Sequence, residues 1–269
     1  MLKQFLILPI LFSLTSCADS DTKKVATMSV KELLKKTESN MVKIKGGTFM
    51  MGDVGGVYEG KEYERATWPT DDDKVHEVTL SDFAMGKYEV TLAEYDVYSE
   101  TEGKPFAYEN MLKTPNKRNI LEFARAQSWQ EAKNYCLWLG KQSGKKYDLP
   151  TEAQWEFTAR NRGKKVLFAT NDGTLRKGEN YEPKHGTVGK FAPNPLGIYD
   201  LTSNVREWTN DWYSVDYDTE TSQNPRGPKT GTEKVVKGSL SSVVDSINYS
   251  RAGIEPDAGA LGFRCVENF

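Results

Sequence analysis

The chain has 269 residues, with 36 Lys and Arg against 38 Asp and Glu and a formal net charge of −2. This length suits one large domain or two small ones. The near-neutral charge balance offers no basic surface for a polyanion, so we expect no nucleic-acid partner.

The first 17 residues have the pattern of a targeting segment rather than of folded structure. Lys3 precedes an apolar run at 5–12, which is too short to cross a membrane as a helix. The run leads to Leu14-Thr15-Ser16-Cys17, which resembles the bacterial lipobox, where signal peptidase cuts before the cysteine. The resemblance implies that acyl chains on Cys17 anchor the mature protein in a lipid membrane of the bacterial cell envelope, facing the periplasm or the cell surface. An ordinary signal peptide is the alternative.

Residues 18–40 are polar and rich in lysine, as in a tether between a lipid anchor and a domain. Ser29 and Glu32 have the spacing of a capping box, in which each residue satisfies a backbone N–H of the other. A short apolar stripe that includes Leu33 follows. The pattern predicts a short helix leading into the domain.

The folded domain is predicted to cover residues 41–269. Residues 41–52 alternate apolar and polar side chains and end at a glycine, which is the pattern of a strand entering a turn. His76–Leu80 predicts a second strand. The long polar loop between them, 53–73, ends in three consecutive aspartates, which is typical of a solvated loop tip.

Three further capping boxes predict three main helices. They begin at Thr91, Ser128 and Thr151, and the second helix has the clearest apolar face before it ends at Gly144. Residues 161–191 follow with five glycines and no clear periodicity. Much of the chain is therefore predicted to be irregular.

Residues 194–213 concentrate large rings and oxygen-bearing side chains. Trp208 and Trp212 need to bury most of their surface. The amides and carboxylates between them are the hard oxygen ligands that Ca²⁺ prefers. On composition alone, an aromatic core segment with solvated acids is the favoured interpretation.

The same segment, NPLGIYDLTSNVREWTNDWY, resembles the signature of the formylglycine-generating enzyme (sulfatase-modifying factor) family. Ser203 and Arg206 depart from the glycine and tryptophan of that signature. The opening strand at 41–52 and the helices after Ser128 and Thr151 resemble other motifs of the family. The resemblance implies an α+β, C-type-lectin-like fold with short strands, the three main helices and much irregular chain.

Two further features are implied by this resemblance. Oxygens around Asn204 and Glu207 would hold a structural calcium ion, and Asn180 would belong to a second calcium site. Cys136 and Cys265 would form a disulfide, because family members that keep both cysteines bond them and because disulfides persist outside the cytoplasm. Two buried free thiols are the alternative.

The oxidase chemistry of the family is predicted to be absent. Active members bind copper through two cysteines that follow a Gly-Gly-Ser turn, and these positions fall at Ser242 and Ile247. A soft Cu(I) ion has no thiolates here, so we expect no copper and no catalytic residue. His76 and His185, the two histidines, lack the spacing of metal ligands.

Residues 239–250 lie where the family lines its substrate groove. We predict that they form a surface for a protein partner in the envelope, or for a glycan, made by Ser241, Ser242, Val244, Asp245, Ile247, Asn248 and Tyr249. The protein would then be a lipoprotein with an inactive domain, acting for example in envelope assembly or toxin immunity.

Two alternatives to this binding function remain open. One is an enzyme with reassigned chemistry in the same groove, and the other is a retroelement-diversified ligand-binding protein, a class that uses this fold. Carboxylates or a metal site in the groove would favour the enzyme, and an apolar rim with aromatic rings would favour the binding protein.

Overall fold

The computed structural model describes residues 28–67, 72–106, 128–216, 222–238, 242–259 and 261–269. These ranges contain four helices, which are α1 (Val30–Asn40), α2 (Leu92–Thr101), α3 (Trp129–Ser143) and α4 (Glu152–Ala159). They also contain eleven short strands: β1 (Met41–Ile44), β2 (Gly47–Met51), β3 (Gly56–Tyr58), β4 (Lys61–Tyr63), β5 (His76–Leu80), β6 (Phe83–Gly86), β7 (Tyr147–Asp148), β8 (Glu207–Trp212), β9 (Lys234–Lys237), β10 (Ala252–Ile254) and β11 (Val266–Asn268). The architecture is α+β, as predicted.

The largest sheet has four antiparallel strands in the order β1-β6-β11-β7. In it, β11 lies between β6 and β7, with Val266 opposite both Met85 and Asp148. A second sheet has the order β10-β9-β8, and β2 pairs with β5 and β3 with β4. The C-terminal strand is therefore an interior strand of the largest sheet.

The helix starts agree with the capping boxes in the sequence. Ser29, Thr91 and Thr151 accept from the third residue of their helices, and that residue returns a bond to the cap backbone. Ser128 caps α3 by accepting from the backbone N–H of Glu131. Helix α3 ends at Gly144, whose φ of 71° is in the left-handed region that favours glycine.

The folded part of the chain begins before Met41, where the sequence placed the domain boundary. Helix α1 packs against α2 and α3, and its Leu33 is fully buried in the largest core cluster. The predicted helix is therefore part of the domain rather than of a tether. Within the described residues, no helix is both long and apolar enough to span a membrane.

A disulfide joins the middle of α3 to the segment just before β11. Cys136 and Cys265 are bonded, with their Cα atoms 5.6 Å apart, and both side chains are buried. Tyr135 and Phe263 pack beside the bond as an edge-to-face aromatic pair. The predicted disulfide is confirmed.

Three local predictions need correction. The strand predicted over 41–52 is two strands, because the chain breaks at Gly46, where a Cβ atom would lie 2.1 Å from the carbonyl oxygen of Leu80. The loop predicted over 53–73 contains the β3–β4 hairpin. Its last two aspartates, Asp72 and Asp73, are buried rather than solvated.

Candidate binding cleft

A cleft of about 430 Å³ opens beside Gly238, the residue that follows β9. Gly238 belongs to the sequence that resembles the Gly-Gly-Ser turn before the catalytic cysteines of the formylglycine-generating enzymes. The walls of the cleft come from four separate parts of the chain and are mostly polar: Thr67, Asp72, Asp73, Arg206, Tyr213, Glu233, Val236, Gly238, Val244, Asp245, Ser250, Arg251, Ala252 and Gly253.

Arg251 holds three of these walls together. Its Nε and Nη2 donate to the two carboxylate oxygens of Glu152, at 2.7 and 2.8 Å, at the start of α4. Its Nη1 donates to the carbonyl oxygens of Asp72 and Ser214, at 2.7 and 2.9 Å. A bidentate guanidinium–carboxylate pair has a defined orientation, so Arg251 fixes the relative position of α4 and the two loops.

Tyr213 forms the aromatic part of the wall. Its hydroxyl donates to Oδ2 of Asp72 at 2.8 Å, and the Arg251 guanidinium lies 4.9 Å from its ring centre. Burial and then the hydrogen bond to Asp72 raise the pKa of Tyr213 to about 12. The phenol therefore keeps its proton at neutral pH and acts as a hydrogen-bond donor, not as a base.

The acidic residues behind the cleft accept hydrogen bonds from groups inside the protein. Asp73 pairs with Arg65, and the Thr67 hydroxyl contacts the carboxylates of both Asp73 and Asp53. Burial raises the pKa of Asp73. Burial acts in the same direction on Asp53, but hydrogen bonds from Thr67, Gly55 and Ala66 outweigh it and lower the pKa of that carboxyl.

Below the cleft lies a buried charge network that includes the residue before Gly238. Lys237 is fully enclosed, with its Nζ 3.5 Å from Glu156 and 3.8 Å from Glu152. Glu156 also accepts from Arg160 at 2.8 Å. The two glutamates of α4 therefore brace the fold.

Three of the seven residues predicted to form a binding surface are buried. Ile247, Asn248 and Tyr249 are at most 5 % exposed, so they are core residues and cannot contact a partner in this conformation. Ser242 is exposed and Val244 and Asp245 are half-buried, and the last two line the cleft. The remaining predicted residue, Ser241, lies outside the described residues.

The three buried residues have defined structural roles. Ile247 packs in a cluster with Leu167 and Phe168. Asn248 donates from its amide to the carbonyl oxygen of Val166 at 2.9 Å, and the Tyr249 hydroxyl donates to the carbonyl oxygen of Gly55 at 2.9 Å.

Sequence reasoning missed the residues that shape the cleft. Arg251, Asp72 and Tyr213 come from distant segments and share no local motif. The available signal was the aromatic signature at 194–213, which ends at Tyr213.

The side chains predicted to hold calcium already make hydrogen bonds to other residues of the chain. The Glu207 carboxylate accepts two bonds from Arg264, at 2.6 and 2.8 Å, and one from the Trp155 indole at 3.0 Å. The Asn204 amide oxygen accepts from the backbone N–H of Gly186 at 2.9 Å. As they stand, these two side chains do not fit a calcium ion.

The Asn180 side chain also makes hydrogen bonds within the chain. Its amide oxygen accepts from the backbone N–H of Arg176 at 2.7 Å, and its amide nitrogen donates to the carbonyl oxygen of Thr174 at 3.1 Å. Among the residues that the structure describes, no group of three or more His, Cys, Asp or Glu side chains is arranged to hold a metal ion. Calcium binding stays a prediction.

A calcium titration of chelator-treated protein tests it. Because an ion that binds only the native state must raise stability, calcium at a hundredfold excess over its dissociation constant would add about 2.7 kcal/mol. Magnesium at the same concentration is the control. An unchanged melting temperature, which the occupied side chains favour, would contradict the calcium prediction.

The short sheets, the helix that a disulfide ties to the segment before the C-terminal strand, and the cleft beside Gly238 form an irregular α+β domain. The model of the sulfatase-modifying factor enzyme 1-like domain matches residues 27–269, and the chain belongs to that family.

Relatives include both active and inactive proteins by name. The formylglycine-generating enzyme of Mus musculus is 28 % identical over 301 residues, which cover 85 % of this chain and 75 % of the enzyme. The inactive C-alpha-formylglycine-generating enzyme 2 of Bos taurus is 29 % identical over 293 residues, which cover 84 % of this chain and 87 % of that protein.

Two solved structures share the fold. PvdO from Pseudomonas aeruginosa superposes with a TM-score of 0.68 at 25 % identity, over 85 % of this chain and 94 % of PvdO. Variable protein 1 of Treponema denticola superposes with a TM-score of 0.63 at 20 % identity, over 84 % of this chain and 94 % of that protein.

Proposed function

We propose that this protein is a lipid-anchored envelope protein whose domain is inactive as an oxidase and binds a protein partner at the cleft. The observation that carries the proposal is the position of Ile247, one of the two sites where the family has a catalytic thiol. Ile247 is an apolar side chain packed in the core, and Ser242 occupies the other site. Neither residue supplies a thiolate for copper.

The polar lining of the cleft is relevant to the alternative that the domain is an enzyme with a different reaction in the same groove. Carboxylates in the groove would favour an enzyme. However, Asp73 is paired with Arg65, and Asp72 accepts from Tyr213. Asp72 and Asp73, which internal partners hold, support a shaped, charged binding site more than a general base.

The absence of oxidase activity is directly testable. Incubation of the protein with copper, oxygen and a Cys-x-Pro-x-Arg peptide is expected to leave the peptide mass unchanged. A family enzyme with both cysteines, assayed in parallel, is the positive control. Conversion above the enzyme-free background would contradict the inactive-domain proposal.

The lipid anchor rests on the run at 5–12 and on Leu14-Thr15-Ser16-Cys17. Mass spectrometry of the mature N-terminus is expected to find an acylated cysteine at position 17. A Cys17→Ser variant serves as the control, because it keeps the apolar run and removes the acceptor. An unmodified chain that begins at Met1 would refute the anchor.

A further inference from the structure

We infer that a second cleft, separate from the one beside Gly238, binds a neutral sugar. The second cleft lies between the end of β5, the first turn of α4 and the end of β11, and the two clefts share no lining residue. The inference therefore goes beyond the proposed function and does not rest on it. Its support comes from the size of the second cleft, from the chemistry of its lining and from an exposed aromatic ring.

The size of the second cleft suits a single ring. Its volume is about 190 Å³. A cavity of about 150 Å³ in another protein is large enough to hold benzene, so the second cleft has room for one six-membered ring. Apart from Leu80 and Phe269, each of its lining residues has a polar side chain. A purely apolar ligand would leave these polar groups without hydrogen-bond partners.

Most of the polar side chains in the second cleft are uncharged amides and hydroxyls, which are Ser81, Thr151, Gln154, Asn224 and Asn268. An amide or a hydroxyl group both donates and accepts hydrogen bonds. The hydroxyl groups of a sugar also do both. A ring that carries several hydroxyls therefore matches this lining better than a ligand that has only donors or only acceptors.

Hydrogen bonds within the chain hold these side chains in place. Nε2 of Gln154 donates to Oδ1 of Asn268 at 2.9 Å, and Nδ2 of Asn224 donates to Oγ of Ser81 at 3.0 Å. Oγ1 of Thr151 accepts from the backbone N–H of Gln154 at 3.1 Å. Within the described ranges, the hydroxyl hydrogens of Ser81 and Thr151 and the side-chain amide hydrogens of Asn268 have no acceptor. Side chains that are already oriented lose little entropy when they bind a ligand.

The charges of the second cleft balance. Among the described lining residues, Arg226 is the one with a cationic side chain and Asp82 is the one with an anionic side chain. Oδ1 of Asp82 accepts from the backbone N–H of Gly46 at 2.8 Å, and Arg226 is exposed. Because a cleft without excess charge attracts neither a cation nor an anion, the favoured ligand is neutral.

Phe269 adds an aromatic ring to this polar lining. The residue is 60 % exposed, so its ring is open to a ligand. A sugar ring has C–H groups on its faces and hydroxyls around its rim. It can therefore pack one face on the phenyl ring while its hydroxyls bond to the amides. A linear polyol or a peptide backbone lacks this combination of a flat apolar face and a polar rim.

The test is ligand-observed NMR of the full-length chain with a panel of four neutral disaccharides, namely maltose, cellobiose, lactose and N,N′-diacetylchitobiose. We expect saturable binding of at least one of them at millimolar concentration. Glucuronic acid and a Gly-Gly-Gly peptide with blocked ends are the comparison ligands. The first adds a charge and the second replaces the sugar ring by amides, so both should bind more weakly.

Two variants locate the binding. Phe269→Leu removes the aromatic ring and Arg226→Ala removes the guanidinium, and each should weaken the affinity for the bound disaccharide about tenfold. Lys229→Ala is the matched control, because it removes an exposed cation three residues from Arg226 that does not line the second cleft. It should bind like the native protein. All three substitutions are at exposed positions, and melting temperatures verify that the variants are folded.

Several results would overturn the inference. These are no saturable binding of any of the four disaccharides, stronger binding of glucuronic acid or of the peptide, and unchanged affinity in both Phe269→Leu and Arg226→Ala. The oxidase assay is independent of this experiment, because it concerns the other cleft. Peptide conversion with copper would refute the inactive domain and leave the sugar site intact, and the converse also holds.

Discussion

Reduction of the Cys136–Cys265 disulfide is expected to destabilise the domain more than any single change at the cleft. The bond closes a loop with a sequence separation of 129 residues. Restricting the unfolded chain over such a loop stabilises the native state by about 4–5 kcal/mol before any native-state strain is subtracted. For a domain of this size, that corresponds to a decrease in melting temperature of roughly 10–15 °C.

Cys136→Ser should reproduce most of this loss, because it removes the same cross-link. Its melting temperature should then be insensitive to reductant, whereas that of the native protein falls. Thiol titration of the denatured, unreduced Cys17→Ser protein is the direct measurement. Two free thiols there would refute the bond.

Replacement of Arg264 by methionine is the second change with a large expected effect. Arg264 is fully buried and forms the pair with Glu207 at 2.6 Å. It also donates to the carbonyl oxygens of Gly86 and Tyr199, at 3.1 and 2.9 Å. Breaking a buried ion pair from one side costs about 3–5 kcal/mol, because the remaining charge is left without compensation.

The loss in Arg264→Met should depend on pH. Burial raises the pKa of Asp200 to about 6, and burial together with the charges of Asp200 and Glu207 raises that of Glu89 well above its usual value. Because Arg264 opposes both shifts, its removal raises these native-state pKa values further. Carboxyls whose pKa is higher in the native than in the unfolded state destabilise the protein as pH rises.

The destabilisation by Arg264→Met should therefore be smallest near pH 4 and should grow through pH 6 to 7. Urea unfolding at several pH values measures it. Arg176→Met is the matched control, because its pairs with Asp172 and Glu179 lie at the exposed surface and predict only a small loss. Equal losses in the two variants, or no dependence on pH, would contradict the role assigned to Arg264.

The elements that could be predicted from the sequence are those fixed by neighbouring residues. Capping pairs such as Thr91 with Glu94 involve residues three apart, and Gly144 marks the helix end through its own backbone preference. The alternation in β5 is equally local. The disulfide and the fold came from resemblance, because no local rule connects Cys136 with Cys265.

The features that sequence reasoning missed depend on distant partners. Asp72 was interpreted as solvated because its partner Tyr213 lies 141 residues away in sequence. Asp73 pairs with Arg65, only eight residues earlier, but no local pattern connects the two residues. Ile247 was assigned to a surface because the apolar cluster around Leu167 comes from irregular chain without periodicity. Arg251 was not identified for the same reason, since Glu152 lies far away in sequence.

The interior position of β11 in the largest sheet has a consequence for biogenesis. A nascent chain lacks the strand that joins β6 to β7 until Val266–Asn268 leaves the ribosome. Until then the exposed edge of β6 is open to pairing with other chains. Folding is thus dominated by contacts between distant segments, which slows it. Loss of Val266–Asn268 would remove an interior strand of the sheet rather than an edge strand.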